Sequence, residues 1–417
     1  MTKLLVLAIS LLQILHSYSR SGYTDSLRKE LTKHKGDTVH INILNDLAAE
    51  YLYMDVDSSI FYANKAYNRA NALNYTRGKA TALNTLGLAH FNNKKFSKAL
   101  NYYLSAINQF KACNFREGQS IALANTGNLF FSQQNYDKTL EYYQASLAVS
   151  RKTGDKKRTA SLLGNIGIVY YYKGLYAKSL SYYIKSLKIR DSLGDKQGIA
   201  YVLSNIGIIY DEQGNYEKSL DYYKRSLKIR KELHDKKGIA TSLINIGAAY
   251  DGLGKTEKAM EYYKASLDIA KEIEFLECEA SAYINIGDIY KKQGSYEKAL
   301  VYFNKTKNIY ILNNDKKGLA AALNNMGKIF LEKKKYNQAL ENFLLSLKTA
   351  KEIGVKELIK NNYKDISETY AASENYKKAF HFEHLYSIIK DSIYSDESLK
   401  QMADMEAKYE TEKKEKE

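Results

Sequence analysis

Seven glycines recur along the chain at a constant spacing of 40 residues, and each stands in a closely similar stretch of sequence. In the fourth copy this stretch reads NIGIIYDEQGNYEKSLDYY and starts at Asn205. A constant period of about 20 to 50 residues is typical of repeat proteins, in which each copy buries its apolar face against the next copy. The sequence therefore predicts one elongated array instead of two or three globular domains. The glycines are Gly87, Gly127, Gly167, Gly207, Gly247, Gly287 and Gly327.

One 40-residue unit is predicted to contain two antiparallel helices. The first extends from about Lys196 to Glu212 and is followed by a break at Gly214. On both helices, apolar and small residues recur at intervals of three and four, which places them on one helix face. A glycine inside a helix is about 1 kcal/mol less favourable than alanine, so Gly207 indicates a close approach to Ser219 and Ser226 of the second helix. The packing faces contain Leu203, Ile206, Gly207 and Tyr210, then Ser219, Leu220, Tyr223, Ser226 and Leu227.

Turn sequences separate consecutive units. The dipeptides Gly154-Asp155 and Gly194-Asp195 each supply a glycine that ends one helix and an aspartate that caps the next. The chain contains no proline, so long helices can continue uninterrupted. Windows of one period each place nine units over residues 36–395.

This pattern resembles the tetratricopeptide repeat (TPR) family, in the longer, 40-residue variety that is seen in peptide-binding adaptor proteins. The resemblance implies an all-α fold, namely a right-handed α-solenoid of about nine helix pairs with a helix extending from its C-terminal end. Two features depart from the family pattern, since Leu203 replaces a tryptophan and the closing proline is absent. The fold by itself leaves the biochemical role open. The matching residues of the central unit are Leu203, Ile206, Gly207, Tyr210, Gly214, Tyr216, Ser219, Tyr223 and Ser226.

The face of the first helix opposite to its packing face carries an asparagine at the same place in six units. In TPR proteins the corresponding face lines a concave groove for extended peptides, and similar asparagine ladders hydrogen-bond the peptide backbone. Asparagine suits this role because its amide both donates and accepts. The alternative is that the asparagines bond to neighbouring helices and keep the repeats in register. The six are Asn125, Asn165, Asn205, Asn245, Asn285 and Asn325.

Other side chains of the expected groove change in character along the array. Tyrosines come first, acidic residues follow, and lysines come last. This order suggests a ligand that meets different chemistry in each third, whereas a solvated charged surface is the alternative for any single residue. The predicted groove residues besides the asparagines are Tyr171, Asp211, Asp251, Asp288, Lys292 and Lys328.

The two ends of the chain differ from the repeats. Residues 1–19 combine a basic start, an apolar run and small residues, which is typical of a secretory signal peptide cleaved after Ser19; a buried first helix is the alternative. Residues 20–35 form a lead-in. Residues 396–417 are expected to form a charged helical tail with a narrow apolar stripe, which pairs with a copy of itself or is solvated.

The sequence offers no set of residues typical of an enzyme. The phosphate-binding and nucleophile motifs G-x-G-x-x-G, G-x-x-x-x-G-K-[ST] and G-x-S-x-G are absent from it. His381 and His384 are three residues apart, but no third ligand stands near them, so neither a metal nor another cofactor is expected. Cys113 and Cys278 occupy packing positions and are predicted to be free core thiols.

The formal net charge is +16. The lysines are nevertheless spread through every repeat, for example Lys178, Lys218 and Lys258. An exposed helical array needs many surface charges in any case, so nucleic acid is not expected as a partner.

The order of signal peptide, TPR array and charged helix resembles the extracytoplasmic half of bacterial membrane signalling proteins. We expect a non-catalytic scaffold that binds a protein or an extended peptide, exported to the periplasmic or cell-envelope side of a bacterium. No transmembrane segment is expected in this chain, and the C-terminal helix is a candidate for self-association. The alternative is an intracellular regulator that binds a signalling peptide, or a DNA-binding or kinase partner.

Overall fold

The computed structural model describes residues 17–34 and 36–393, and within these ranges the regular structure is entirely α-helical. The expected signal peptide and charged tail lie largely or wholly outside the described residues and stay predictions. The helices are α1 (Ser17–Lys33), α2 (Thr38–Tyr51), α3 (Val56–Ala72), α4 (Thr76–Asn92), α5 (Phe96–Ala112), α6 (Arg116–Ser132), α7 (Tyr136–Lys152), α8 (Lys156–Tyr172), α9 (Tyr176–Ser192), α10 (Lys196–Glu212), α11 (Tyr216–Glu232), α12 (Lys236–Gly252), α13 (Thr256–Glu272), α14 (Leu276–Lys292), α15 (Tyr296–Leu312), α16 (Lys316–Glu332), α17 (Tyr336–Glu352), α18 (Lys356–Ala372) and α19 (376–393).

From α2 onward the helices alternate between a first and a second helix in chain order, which makes nine pairs within the described residues. Successive first helices from α4 to α18 begin 40 residues apart. The helix predicted from about Lys196 to Glu212 has these bounds in the structure. The prediction of an all-α repeat fold is therefore confirmed.

The turns between helices use the expected end signals. Gly154, two residues after the end of α7, has φ of +69°, a left-handed conformation that glycine adopts without strain. Asp155 then caps α8, because its side chain accepts a hydrogen bond of 2.8 Å from the backbone N–H of Arg158. Asp195 accepts in the same way from the N–H of Gly198 at 2.9 Å. The prediction that Gly-Asp dipeptides end one helix and start the next is confirmed.

In six first helices the repeated glycine packs under an aromatic ring of the following second helix. A Cβ atom at Gly167 would lie 2.8 Å from the ring of Tyr183, and one at Gly247 would lie 2.6 Å from Tyr263. The second helix also approaches closely, since the Ser179 hydroxyl donates to the Gly167 carbonyl oxygen at 2.7 Å. The sequence indicated only the small side chain of the second helix as the reason for the glycine. The ring is a second reason, because it leaves no room for a Cβ atom.

In several pairs a second serine ties the two helices together at the other end. The hydroxyl of Ser186 donates to the carbonyl oxygen of Ala160 at 2.7 Å, and Ser346 donates to Ala320 over the same distance. Both serines are fully buried. Because a buried hydroxyl needs a partner, these bonds explain why the small residue at this place is so often serine.

The contacts within the chain divide it into two compact units, residues up to Ile209 (unit 1) and residues from Tyr210 on (unit 2). Within unit 1, first helix α4 lies against first helices α2 and α6. Within unit 2, α12 lies against α14, and α16 lies against α18. Second helices do not make comparable contacts with one another in the described residues. In each unit the first helices therefore form an inner row and the second helices an outer row.

The two cysteines differ in their surroundings. Both are free, and Cys278 is buried as predicted. Burial raises the pKa of the Cys278 thiol to about 11. Cys113 is only partly buried, because it lies just after the end of α5, so its prediction as a core thiol is wrong. None of the described helices has the length and apolar character needed to cross a membrane.

Candidate functional site

The six predicted asparagines occupy the same place on successive first helices, each the tenth residue of its helix. Because first helices lie side by side within a unit, the asparagines of one unit follow one another along its inner row. Unit 1 contributes Asn125, Asn165 and Asn205, and unit 2 contributes Asn245, Asn285 and Asn325.

Four of these side chains make no hydrogen bond to any part of the chain that the structure describes, and all four are partly exposed to solvent. They are Asn165, Asn245, Asn285 and Asn325. Asn125 differs, because its Nδ2 donates to Oδ1 of Asn84 on the neighbouring first helix at 3.0 Å. The four amides are thus available to a ligand in both units.

Asn205 is the most deeply placed member of the row, with 6% of its surface exposed. Its Nδ2 is buried and has no hydrogen-bond partner among the described residues. A buried donor without a partner destabilises a protein by about 1–3 kcal/mol. The folded chain therefore keeps an amide here that does not contribute a hydrogen bond to the fold.

Bracing between first helices is carried out by other residues. Asn45 donates to the carbonyl oxygen of Gly78 at 3.0 Å. Asn324 donates to Oδ2 of Asp365 at 2.6 Å and to Oδ1 of Asn362 at 3.2 Å. The first of these bonds lies in the N-terminal part of unit 1 and the others in the C-terminal part of unit 2. Most of the predicted asparagines take no part in such bracing.

In unit 2 the charged residues of the inner row form ion pairs between neighbouring first helices. Lys292 Nζ lies 2.6 Å from Oδ2 of Asp251, and Lys328 Nζ lies 3.6 Å from Oδ2 of Asp365. The sequence suggested an acidic zone followed by a basic zone. The structure instead brings members of the two groups together, because side chains about one period apart in the chain face each other on adjacent helices.

Three predicted carboxylates of unit 2 act electrostatically on a buried tyrosine of the same unit. The pKa of Tyr263 is raised mainly by burial, and further by the carboxylates of Asp251, Asp211 and Asp288. Burial also raises the pKa of Asp288, although the nearby Lys291 opposes this shift. Three carboxylates predicted from the sequence thus act on the same hydroxyl.

In unit 1 the predicted Tyr171 belongs to a larger group of aromatic rings. It packs edge-on against Tyr172 with ring centroids 5.5 Å apart, and Tyr172 stacks on Tyr136 at 6.0 Å. Phe131 contacts both Tyr136 and Tyr172. The sequence reasoning missed Tyr136 and Phe131, although Phe131 stands one full period before Tyr171 and the period alone points to it.

In the described part of the chain, no group of three or more histidine, cysteine or acidic residues is placed to hold a metal ion. His381 and His384 are both exposed on α19. The ring of His381 packs edge-on against Phe382 at 5.4 Å.

The helix pairs, the 40-residue register and the inner row define a helical repeat protein of the TPR type. The sequence model of the tetratricopeptide repeat family matches residues 118–192, 158–232, 198–272 and 278–352, which together make up more than half of the chain. The chain belongs to this family. Comparison with curated protein sequences gives no match.

Solved structures show the same fold at low sequence identity. The apo form of the quorum sensor NprR from B. thuringiensis superposes with a TM-score of 0.57 at 18% identity, over 81% of this chain and 95% of that one. A Rap protein complexed with competence and sporulation factor superposes with a TM-score of 0.54 at 17% identity, over 86% of this chain and 99% of that one. Aspartyl phosphate phosphatase F from Bacillus subtilis superposes with a TM-score of 0.55 at 14% identity, over 85% of this chain and 94% of that one.

Proposed function

We propose that this chain is a non-catalytic TPR scaffold that binds an extended peptide along the inner row of its first helices. The observation that carries the proposal is the set of asparagine amides that make no hydrogen bond within the described chain, including the buried Nδ2 of Asn205. Amides at a regular spacing match the donors and acceptors of an extended backbone. A similarly folded Rap protein is known in complex with competence and sporulation factor, which supports a ligand of this kind.

The residues beside the asparagines differ between the two units, and so they predict which kind of peptide segment each unit binds. In unit 1 the row is flanked by the aromatic group around Tyr172, which favours an apolar or aromatic side chain. In unit 2 it is flanked by the carboxylates around Tyr263 and by Lys292. This part favours a polar or charged stretch of the peptide.

The test is a double variant, Asn245→Ala with Asn285→Ala, measured by thermal melting and by titration with peptides selected from a library of random linear peptides. Each lost hydrogen bond contributes roughly 0.5–1.5 kcal/mol, so we expect binding to weaken about tenfold. The melting temperature should stay unchanged, because neither amide bonds to the described chain. The matched control, Asn304→Ala with Asn308→Ala on second helix α15, should retain full affinity.

Two outcomes would count against the proposal. Unchanged affinity with a lower melting temperature would mean that the asparagines brace the helices, as in the alternative reading of the sequence. Equal losses of affinity in the inner-row variant and its α15 control would mean that the peptide lies elsewhere.

We further propose that the protein is exported and serves as a sensory or adaptor module. The support is the basic and apolar pattern of residues 1–19. Cell fractionation of a C-terminally tagged chain, with mass spectrometry of its N-terminus, tests this. A chain that stays in the cytoplasm with Met1 to Ser19 intact would favour the alternative, an intracellular regulator with a signalling peptide or a DNA-binding or kinase partner.

A further inference from the structure

The positive charge of unit 1 concentrates at the edge where its first helices begin. Here the basic edge means the four turns that lead into α4, α6, α8 and α10, together with their flanking helix ends, residues 68–79, 108–119, 148–159 and 188–199. These segments contain 13 basic and 4 acidic residues, a net charge of +9. Equally long segments at the opposite edge contain 6 basic and 4 acidic residues, a net charge of +2. These segments are residues 48–59, 88–99, 128–139 and 168–179.

Many cations of the basic edge are not neutralised by the protein. Arg158 and Arg190 pair with the capping aspartates Asp155 and Asp195 at 3.2 and 2.5 Å. By contrast, six exposed cations take part in no ion pair within the described residues. These are Lys111, Arg116, Arg151, Lys152, Lys156 and Lys157.

Helix stability does not explain this charge. Arg116, Lys156 and Lys157 lie in the first turns of α6 and α8, where the helix dipole already places partial positive charge. A cation at this end of a helix is unfavourable, and carboxylates are preferred there. The edge thus gathers basic side chains and helix N-termini at the same place, which indicates an anionic partner.

The basic edge also exposes apolar side chains and a polar cleft. Leu73 and Leu193 stand in the turns after α3 and α9 with 48% and 43% of their surfaces exposed. Neighbouring turns contact each other, since the Arg77 guanidinium lies 3.8 Å from the ring centroid of Phe115. Between them is a cleft of about 210 Å³, lined by Ala70, Asn71, Asn74, Thr76, Lys79 and Gln109.

We propose that the basic edge binds the surface of a membrane that contains anionic phospholipid. Such a surface offers phosphate groups to the cations and to the polar cleft, and an apolar layer beneath them to the exposed leucines. A nucleic acid duplex offers phosphates but no such apolar layer in its backbone, so it leaves Leu73 and Leu193 without a role. The proposal concerns a different face from the peptide row and does not depend on the proposed peptide binding.

The corresponding turns of unit 2 do not share this property. Residues 228–239, 268–279, 308–319 and 348–359 contain 11 basic and 10 acidic residues, a net charge of +1. Lys236 and Lys316 in these turns are also paired with Glu272 and Glu352, at 2.5 and 2.9 Å. The membrane contact is therefore assigned to unit 1.

The experiment is co-sedimentation of the full chain with phosphatidylcholine vesicles, with and without phosphatidylserine. One variant reverses three charges of the basic edge, Lys152→Glu, Lys156→Glu and Lys157→Glu. The matched control reverses three exposed lysines of the opposite edge, Lys94→Glu, Lys95→Glu and Lys98→Glu, and so changes the net charge by the same amount. Each basic residue near an anionic surface contributes about fivefold to binding. We expect about a hundredfold weaker binding for the basic-edge variant and little change for the control.

A second pair of variants tests the apolar contact at constant charge. Replacing both Leu73 and Leu193 by serine should weaken binding to phosphatidylserine vesicles several-fold, whereas Leu175→Ser at the opposite edge should not. Binding that is equal with and without phosphatidylserine, or equal losses for the two charge-reversed variants, would overturn the proposal. So would a chain that ignores the vesicles but binds a DNA or RNA duplex through the basic edge. Thermal melting of every variant confirms that the fold is retained.

Discussion

Two glycines of α8 lie three residues apart but have different surroundings. A Cβ atom at Gly167 would lie 2.8 Å from the ring of Tyr183. A Cβ atom at Gly164 would meet only the Ser186 hydroxyl, at an ordinary contact distance of 3.7 Å. At the residue scale the repeat period identifies the first of these glycines and not the second, because only the first faces a ring that recurs in all seven units that carry the glycine.

We expect Gly167→Ala and Gly164→Ala to change stability in opposite directions. At Gly167 the new methyl group has to displace a buried ring, an overpacking penalty of typically about 1–3 kcal/mol. At Gly164 there is room, so alanine should stabilise the helix by up to about 1 kcal/mol. Urea unfolding of the two variants measures both effects. A similar loss for both would mean that the ring does not decide the need for glycine.

At the element scale, the packing of a second helix on the next first helix follows a size rule. A large side chain near the end of the second helix goes with glycine eight residues later, as in Phe110 with Gly118 and Tyr310 with Gly318. In three pairs where the second helix carries a small residue, the later position holds a larger one. Ala270 and Cys278 form such a pair and pack in one buried cluster. Ala70 with Gly78 is an exception, because the ring of Tyr75 lies against that glycine.

This rule predicts that the Tyr310 contact can be converted into the Ala270 type. Gly318→Cys alone should destabilise unit 2 by about 1–3 kcal/mol, because a Cβ atom there would lie 2.6 Å from the Tyr310 ring. Tyr310→Ala alone should leave a cavity and lower the free energy of unfolding by more than Gly318→Cys does. The double variant should lose about 0.5–3 kcal/mol less than the sum of the two. Strictly additive losses in urea unfolding would refute the size rule.

At the scale of the whole molecule, the contacts of a repeat array run mainly between neighbours. In unit 1 and in unit 2 alike, each described helix packs chiefly against the helices next to it in the chain. The stability of such an array is a sum of local terms and nearest-neighbour terms. A local defect should therefore spread to adjacent pairs and weaken with distance along the chain.

Hydrogen exchange of Gly167→Leu tests this expectation. The bulky side chain in the pair of α8 and α9 should speed amide exchange from α7 to α9 by about fivefold to a hundredfold, the equivalent of about 1–3 kcal/mol. Exchange from α14 to α18 should change little. An exposed substitution on the same helix, Lys157→Leu, is the control and should leave both regions as they were. An equal increase along the entire chain would show all-or-none unfolding.

Much of this protein could be predicted from the order of its residues, because the fold depends on local and periodic signals. Helix bounds such as Lys196–Glu212 follow from intervals of three and four between apolar residues, and the turns follow from Gly-Asp dipeptides. The asparagine row also follows from the period, since equal positions on equal helices come to lie on the same face. Whether that row binds a peptide stays a proposal.

The tertiary structure alone decided which groups are brought together between neighbouring helices. Sequence distance does not show that Lys292 meets Asp251 on the adjacent first helix, or that Asn125 is bonded while Asn165 is not. The physical reason is the same in each case. Periodicity sets the face and the end of a helix on which a side chain lies, but contacts depend on side chains of the adjacent helix, which the period does not specify.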